Sequence, residues 1–208
     1  MIRARFSPSL LRGDGRGKRG QVRQSEANET TAAGDPAALR AAFGNFVTGV
    51  TVVTALDGSR RPRGFTANSF TSVSLDPPLL LVCIAHSASV CAVFAAAEGF
   101  SVNVLSEEQR ALGEGFARRA VDRFAGVDWV PGHTGAPRLT RSLVHLDCSV
   151  HRRVDAGDHM ILIGRVRGHA VRAGRPLVFA RGSFVRGGFV PLAGQPGALA
   201  ETVEGEVP

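Results

Sequence analysis

A mostly β fold, in which an antiparallel sheet curls into a barrel and carries a few short helices, is the fold class that the sequence predicts. About seven short runs rich in β-branched residues follow one another at hairpin spacing within about 160 residues. Strands and helices do not alternate regularly, which disfavours a Rossmann fold. The chain has 208 residues, of which 44% are hydrophobic, and this length and composition fit one ordinary globular domain.

Both ends of the chain are expected to lie outside that domain. Residues 1–34 are basic, and residues 13–34 among them have almost no apolar side chains whose burial could offset the entropy lost on ordering. Residues 194–208 are similar in this respect but acidic. The sequence therefore predicts a disordered basic tail, a folded domain over residues 35–193 and a disordered acidic tail. A GxGxxG pattern at residues 15–20 lacks the strand and helix of a dinucleotide fingerprint and is attributed to chance.

The first element is a helix predicted over residues 37–47. Asp35 and Pro36 supply an N-cap residue and a proline at the first helical position, and Gly49 is expected to break the helix. Three apolar residues recur at helical spacing on one face: Leu39, Phe43 and Phe46.

Four strands are predicted next. Residues 51–56 and 63–67 form a hairpin, because Asp57-Gly58 between them is a turn signal. Residues 70–75 alternate apolar and hydroxyl side chains, as in a half-buried strand or an ordered sheet edge. Residues 79–84 are wholly apolar, which is typical of a central strand.

The middle of the chain combines helices with one strand. A short helix is predicted over residues 87–97, capped by Ser87 or Ser89, with a strand at 100–105 after it. A third helix is expected over residues 106–116, since acidic residues occupy its first turn. The Gly/Pro-rich stretch 119–138 is expected to be a connection.

The last part of the chain is again β. Two long strands are predicted at 143–154 and 160–171, joined by a turn that contains Gly157. Short strands at 176–179 and 183–185 are expected to complete the sheet.

The composition excludes several classes of partner. The net charge is +7, but the arginines are scattered instead of forming the basic stripe of a nucleic-acid binder, so no nucleic-acid partner is expected. No apolar run is long enough to span a membrane, and a secretory signal is not indicated. The three cysteines include no CxxC pair, which fits a protein of the reducing cytoplasm.

Well-known catalytic sequence motifs are not found. The sequence has no GxSxG elbow, HExxH or P-loop, and no predicted helix carries a carboxylate pair at helical spacing. His145 and His151 share a face of one predicted strand, but without further ligands they do not predict a metal site. The most distinctive stretch is residues 64–74, which is rich in hydroxyl and amide side chains. It either holds a flat polar heterocycle and a phosphate or satisfies its own turns at a strand edge, and the residues alone leave both interpretations open.

This stretch and the motifs around it resemble the short-chain flavin reductase family, the NAD(P)H:flavin oxidoreductases that serve two-component monooxygenases. The resemblance extends over about residues 37–187 and rests on an ordered series of motifs. These are the FGNFVTGVTVVT run from Phe43, residues 64–78, 81–84, 87–94 and 100–105, Phe116-Ala117, Arg123-Phe124-Ala-Gly126 with Trp129 behind it, Gly135-Ala-Pro137, Gly157-Asp158-His159, residues 163–166, and 176–179.

The resemblance implies a split β-barrel of the Greek-key, FMN-binding type and a homodimer with flavin near the subunit interface. It places the flavin ring and ribityl chain against Thr66, Ala67, Asn68 and Ser69, with Ser72 extending that wall. Further cofactor-binding residues are implied at Cys83, Ile84, Ala85, Ser89, Val90 and Phe116. Cys83 is expected to contribute main-chain contacts, and Phe116 to close over the flavin.

His159 has two interpretations. As an isolated histidine it is favoured to bond its own turn, whereas the resemblance places it beside the nicotinamide as the catalytic residue. The implied function is hydride transfer from NADH or NADPH to FMN or FAD, with reduced flavin supplied to a separate monooxygenase. The alternatives are a non-enzymatic flavin or haem carrier on the same barrel, and a nucleic-acid-associated protein that uses the basic N-terminal tail.

Overall fold

The computed structural model describes residues 34–118 and 122–185. Its helices are α1 (Pro36–Phe43), α2 (Cys91–Ala96) and α3 (Arg110–Ala117), the last preceded by a short 3-10 helix, Glu107–Gln109. Nothing among these helices is long and apolar enough to cross a membrane. The predicted tails lie outside the described residues, apart from Gly34, as does the predicted domain beyond Val185, so those limits stay predictions.

Twelve strands lie in the described ranges. In chain order they are β1 (Thr48–Gly49), β2 (Thr51–Leu56), β3 (Pro62–Ala67), β4 (Thr71–Leu75), β5 (Pro78–Ala85), β6 (Gly99–Val104), β7 (Trp129–Pro131), β8 (Pro137–Leu139), β9 (Val144–Ala156), β10 (His159–Val171), β11 (Val178–Ala180) and β12 (Ser183–Val185). Each strand predicted from the sequence corresponds to one of these, with ends that differ by a few residues.

Seven strands form the main sheet, in the order β3-β2-β6-β9-β10-β5-β4, and every neighbouring pair is antiparallel. The edge strands β3 and β4 are not hydrogen-bonded to each other, so the curled sheet stays open, as in a split barrel. Smaller sheets join β1, β11 and β12, and β7 with β8. The predicted fold class, mostly β with a split barrel and a few short helices, is confirmed.

Strand β2 divides the core in two. Its residues alternate between the two faces of the sheet, and five of the six are buried. Val53 faces a cluster that includes Phe94 of α2, whereas Val52 faces a second cluster that includes Phe116 of α3. A strand covered on both sides fits the continuous apolar character of its sequence.

Helix α1 ends earlier than the sequence predicts. After Phe43 the chain tightens, because the N–H groups of Asn45 and Phe46 each bond a carbonyl only three residues back. Thr48 and Gly49 then pair with β11, about 130 residues further along the chain. The prediction that Gly49 breaks the helix is wrong, because the helix has already ended at Phe43 and Gly49 is paired with a distant strand.

Two other elements differ from expectation. Helix α2 has only six residues, and its N-cap is Val90 without a side-chain cap, so the predicted cap at Ser87 or Ser89 is wrong.

The connection predicted over residues 119–138 contains the three-residue strands β7 and β8. They are held by buried polar groups, including the amide oxygen of Asn103, which accepts from the N–H of Leu139 at 2.8 Å.

Candidate functional site

A cleft of about 360 Å³ opens where β3, β5 and β10 come together beside α3. Most of the residues predicted to bind a cofactor line it: Thr66, Ala67, Asn68, Ser69, Cys83, Ala85, Ser89, Val90, Phe116 and His159. Five residues outside that prediction complete the lining: Phe65, Ser87, Ala88, Ala117 and Arg123. The sheet therefore gathers into one place segments that lie more than 90 positions apart in the sequence.

The end of β3 and the loop after it form one wall. The Thr66 hydroxyl donates to the carbonyl of Gly113 at 2.6 Å, which ties this strand to α3. The Ala67 carbonyl accepts from the hydroxyl of Thr51 at 2.9 Å, and Asn68 is exposed at the cleft. Two bonds thus fix the direction in which the polar loop leaves the strand.

Ser69 connects this loop to β5. Its Oγ accepts from the N–H of Cys83 at 2.9 Å and lies 3.4 Å from the Cys83 carbonyl. The hydroxyl therefore holds the loop against the strand. On the other side of β5, Ala85 lies opposite His159 in the antiparallel register, which brings the first residue of β10 to the cleft.

The remaining predicted residues occupy different positions. Ile84 is 1% exposed and packs into the first core cluster, so only its main chain faces towards β10. Ser72 is exposed on the edge strand β4 and is not among the lining residues. Phe116 lines the cleft but is 1% exposed, with its ring edge-on to Phe124 at 5.0 Å. It is a packed side chain at the base of the cleft.

Arg123 is the charged lining residue that the sequence did not predict. Its NH1 donates to the carbonyl of Gly64 and its Nε to the carbonyl of Arg118, each at 2.9 Å. Partial burial lowers the pKa of this guanidinium. The available signal was the Arg-Phe pair among the family motifs, since a cation is the natural partner for a phosphate beside serine hydroxyls.

His159 bonds its own turn and also lines the cleft. Its Nδ1 lies 2.6 Å from Oδ1 of Asp158, the preceding residue in the turn, while the ring lines the cleft. A carboxylate can only accept, so Nδ1 donates this bond and leaves Nε2 available for another partner. The bond to His159 is also the main cause of the lowered pKa of Asp158.

The cleft suits a flat anionic ligand. Arg123 is the one arginine or lysine among its described lining residues, and no carboxylate is among them. The loop at Asn68 offers polar groups for a heterocycle edge, and the hydroxyls of Ser87 and Ser89 lie on the same lining as Arg123. This donor set fits a flavin phosphate and ring, and the volume is in the range of small-molecule sites.

Other chemistry has little support among the described residues. No group of three or more His, Cys, Asp or Glu side chains there could hold a metal ion. Nε2 of His145, one of the two histidines weighed as ligands, bonds the carbonyl of Leu139 at 2.7 Å.

Comparison with known proteins yields one consistent set of matches. The sequence model of a family described as "Flavin reductase like domain" matches residues 43–188. The chain is 50% identical over 174 residues to a probable flavin reductase of Rhizobium meliloti, a match that covers 83% of this chain. It is 42% identical over 151 residues to the flavin-dependent monooxygenase reductase subunit HsaB of Rhodococcus jostii, over 72% of this chain and 77% of that one.

A solved structure agrees with these sequence matches. The NADH:FAD oxidoreductase SgcE6 of Streptomyces globisporus, in complex with NAD and FAD fragments, superposes with a TM-score of 0.73 at 44% identity. The match covers 79% of this chain and 99% of that one. By contrast, this chain spans only 54% and 65% of the lengths of two Rhizobium meliloti relatives, the probable flavin reductase and a stachydrine N-demethylase reductase subunit.

Proposed function

Because the chain belongs to the flavin reductase like family, we propose that it is an NAD(P)H:flavin oxidoreductase. The observation that carries the proposal is the single cleft in which the polar loop at Asn68, the cation Arg123 and the ring of His159 come together. When both ligands are bound, the nicotinamide supplies a hydride and the flavin accepts it. The protein supplies binding and orientation, which explains why no acid–base pair is needed in the cleft.

The flavin is proposed to lie along β3 and the loop after it. Main-chain and side-chain groups of Thr66, Ala67 and Asn68 face the ring, and Ser69 keeps the loop in place through its bonds to Cys83. The phosphate lies near Ser89 and Arg123. Helix α2 is too short to serve as a phosphate site by its N-terminus, so the cation and the hydroxyls take that role.

His159 is proposed to orient the nicotinamide. Asp158 holds its Nδ1, so the ring presents Nε2 to the cleft in a fixed tautomer. His159→Ala should raise the KM for NADH or NADPH more than it weakens flavin binding. The matched control is His151→Ala, an exposed histidine on β9 outside the cleft lining. Equal effects of His159→Ala on flavin and nicotinamide would contradict this role.

The proposed activity is tested by following the near-ultraviolet absorbance of reduced nicotinamide. NADH and NADPH are each combined with FMN, FAD and riboflavin in the presence of the full chain. Flavin-dependent loss of absorbance supports the reductase and identifies both preferred partners. If a flavin is bound tightly and no pair reacts, the protein is a flavin carrier instead.

A homodimer is part of the proposal. Helix α1 has no buried residue, and beside it lies an apolar groove of about 880 Å³ that Asn68 also lines. A second copy seated on this surface would cover α1 next to the flavin site. Analytical ultracentrifugation of the full chain tests this, and a monomer at micromolar concentration would contradict it.

Reduced flavin is proposed to leave the cleft for a separate flavin-dependent monooxygenase in the cytoplasm. The relatives named as monooxygenase reductase subunits support this. Mixing the reductase with a candidate oxygenase should couple nicotinamide oxidation to substrate oxygenation, whereas release of hydrogen peroxide alone would contradict the pairing.

A further inference from the structure

The chain segment from His86 to Glu98, which contains α2, is held at both ends by one hairpin. That hairpin is formed by β9 and β10, and it carries His159. At the first end, the N–H of His86 donates to the carbonyl of Asp158 at 2.9 Å. At the second end, the N–H of Val150 donates to the carbonyl of Glu98 at 2.8 Å. A shift of the segment relative to the hairpin would therefore break at least one of these bonds.

Arg153 adds a side-chain clamp to the second end. Its Nε donates to the carbonyl of Phe94 at 3.1 Å, and its NH2 donates to the carbonyl of Ala97. Phe94 is in the last turn of α2 and Ala97 is its C-cap, a region where carbonyl groups have no partner within the helix. A guanidinium presents its donors in a rigid fork, and its positive charge suits the C-terminal end of a helix.

The register of β9 explains why Arg153, and not its neighbour, reaches α2. Arg153 lies opposite Leu162, which is wholly buried in the first core cluster. Arg152 lies opposite Ile163, and its side chain is therefore on the other face of the two strands. Within the described ranges, β6 pairs with β9 only as far as Ser149, which leaves the edge of β9 beside Arg153 open to α2.

The start of the clamped segment is part of the cleft. Residues 87–90, which immediately precede α2, all line the cleft, and Val90 is the N-cap of the helix. A helix of six residues is less than two turns long, so we expect its two ends to move as one body. Bonds that fix the C-terminal end of α2 therefore also fix the lining residues at its other end.

We infer that Arg153 is a positioning residue for the reductase. By holding α2 against the β9–β10 hairpin, it keeps residues 87–90 at a fixed distance from His159 across the cleft. The inference rests on the proposed function, which places the flavin phosphate near Ser89. Arg153 is not among the residues that line the cleft, so it acts on the phosphate through α2. Its loss should weaken phosphate binding and leave the ring contacts along β3 in place.

The test compares FMN with riboflavin, which differ only in the phosphate. Dissociation constants for both are measured by quenching of flavin fluorescence, with the full chain and with three variants of it. Arg153→Gln removes the guanidinium that bonds α2, and Arg153→Lys keeps the charge without the fork. The matched control is Arg152→Gln, which removes the same charge from the opposite face of β9.

Arg153→Gln should weaken FMN binding about tenfold, because two charge-assisted hydrogen bonds at the end of α2 are lost. Riboflavin binding by the same variant should change less than about twofold, since riboflavin has no phosphate. Arg153→Lys should weaken FMN binding about threefold, because an ammonium group does not reproduce the paired geometry. Arg152→Gln should leave both dissociation constants within about twofold.

Equal losses of FMN and riboflavin binding in Arg153→Gln would show a general structural role and overturn the inference, as would unchanged FMN binding. FMN binding by Arg153→Lys as tight as that of the original chain would show that charge alone acts, and it would also overturn the inference. If Arg153→Gln does not fold, the ratio of the FMN and riboflavin constants in Arg153→Lys decides. Failure of the proposed function is seen separately, as a lack of flavin-dependent NADH or NADPH oxidation by the original chain.

Discussion

The base of the cleft and the surface at the end of α1 both contain phenylalanine rings, but in opposite environments. Phe116 is 1% exposed and packs edge-on against Phe124, whereas Phe43 and Phe46 are 69% and 78% exposed. The ring at the cleft is thus covered by the rest of its own chain, whereas the two rings at α1 are left in solvent. Where a protein leaves several large apolar side chains together in solvent, another surface normally covers them.

The largest difference between the two regions should appear in thiol reactivity. Cys148 lies in the core behind the cleft, and burial, followed by the charge of Asp147, raises the pKa of its thiol to about 12. At a pH of about 8.5 its thiolate fraction is about a thousandfold below that of an ordinary thiol. In dilute protein, Phe46→Cys should therefore be alkylated at least about a thousandfold faster than Cys148.

Peptide mass spectrometry after timed iodoacetamide exposure separates the individual cysteines. Below its pKa, the rate at Cys148 should rise about tenfold per pH unit, because the thiolate is the reactive form. In concentrated urea the two sites should react alike. Rapid alkylation of Cys148 in the folded protein would show that the core behind the cleft opens readily.

The second contrast concerns packing. Phe116→Ala should lower the free energy of unfolding by about 3–5 kcal/mol, since it leaves a cavity in the second core cluster. Phe46→Ala, the matched substitution just after α1, should change the free energy of unfolding of the isolated monomer by less than about 0.5 kcal/mol. Urea denaturation of both variants, at a protein concentration low enough to keep the chain monomeric, checks this. Similar losses of unfolding free energy in the two variants would remove the distinction between the two regions.

A third prediction tests the polar wall of the cleft. Ser69→Ala removes the acceptor for the N–H of Cys83 and should cost about 1 kcal/mol of stability, together with weaker flavin binding. Ser72→Ala, on the exposed edge strand, should cost less than about 0.5 kcal/mol. Thermal or urea unfolding with parallel flavin titration provides the comparison. If Ser72→Ala weakens flavin binding as much as Ser69→Ala, the cleft extends further along β4 than its lining indicates.

The smallest effect on stability is expected at the end of α1 and in the turn that follows it. Phe43→Ser combined with Phe46→Ser should leave the unfolding of the monomer within about 0.5 kcal/mol of the original chain, because both side chains are exposed. The same variant should sediment as a monomer. A variant that still sediments as a dimer would place the subunit interface elsewhere.

Local patterns explain why much of the sheet could be predicted from the sequence. The hairpin of β2 and β3 follows from β-branched runs around Asp57-Gly58, and these partners are neighbours in sequence. The early end of α1 could not be predicted in this way, since Thr48 pairs with Phe179. Pairings between distant segments depend on the completed fold.

The candidate site shows the same division. The family resemblance, which the family match confirms, located the polar loop of the cleft from residues 66–69. Arg123 was missed because it lies in a Gly/Pro-rich connection, and only the folded chain brings it to Gly64. Ile84 was included with its neighbours although strand alternation turns its side chain to the core.

The position of Asn68 has a practical consequence for enzyme assays. Because this residue lines both the flavin cleft and the groove beside α1, a wall of the cleft is shared with the proposed contact between copies. Turnover per chain should then fall when the enzyme is diluted, even at saturating flavin. Rates measured at nanomolar protein would describe a different species from the one present at cellular abundance.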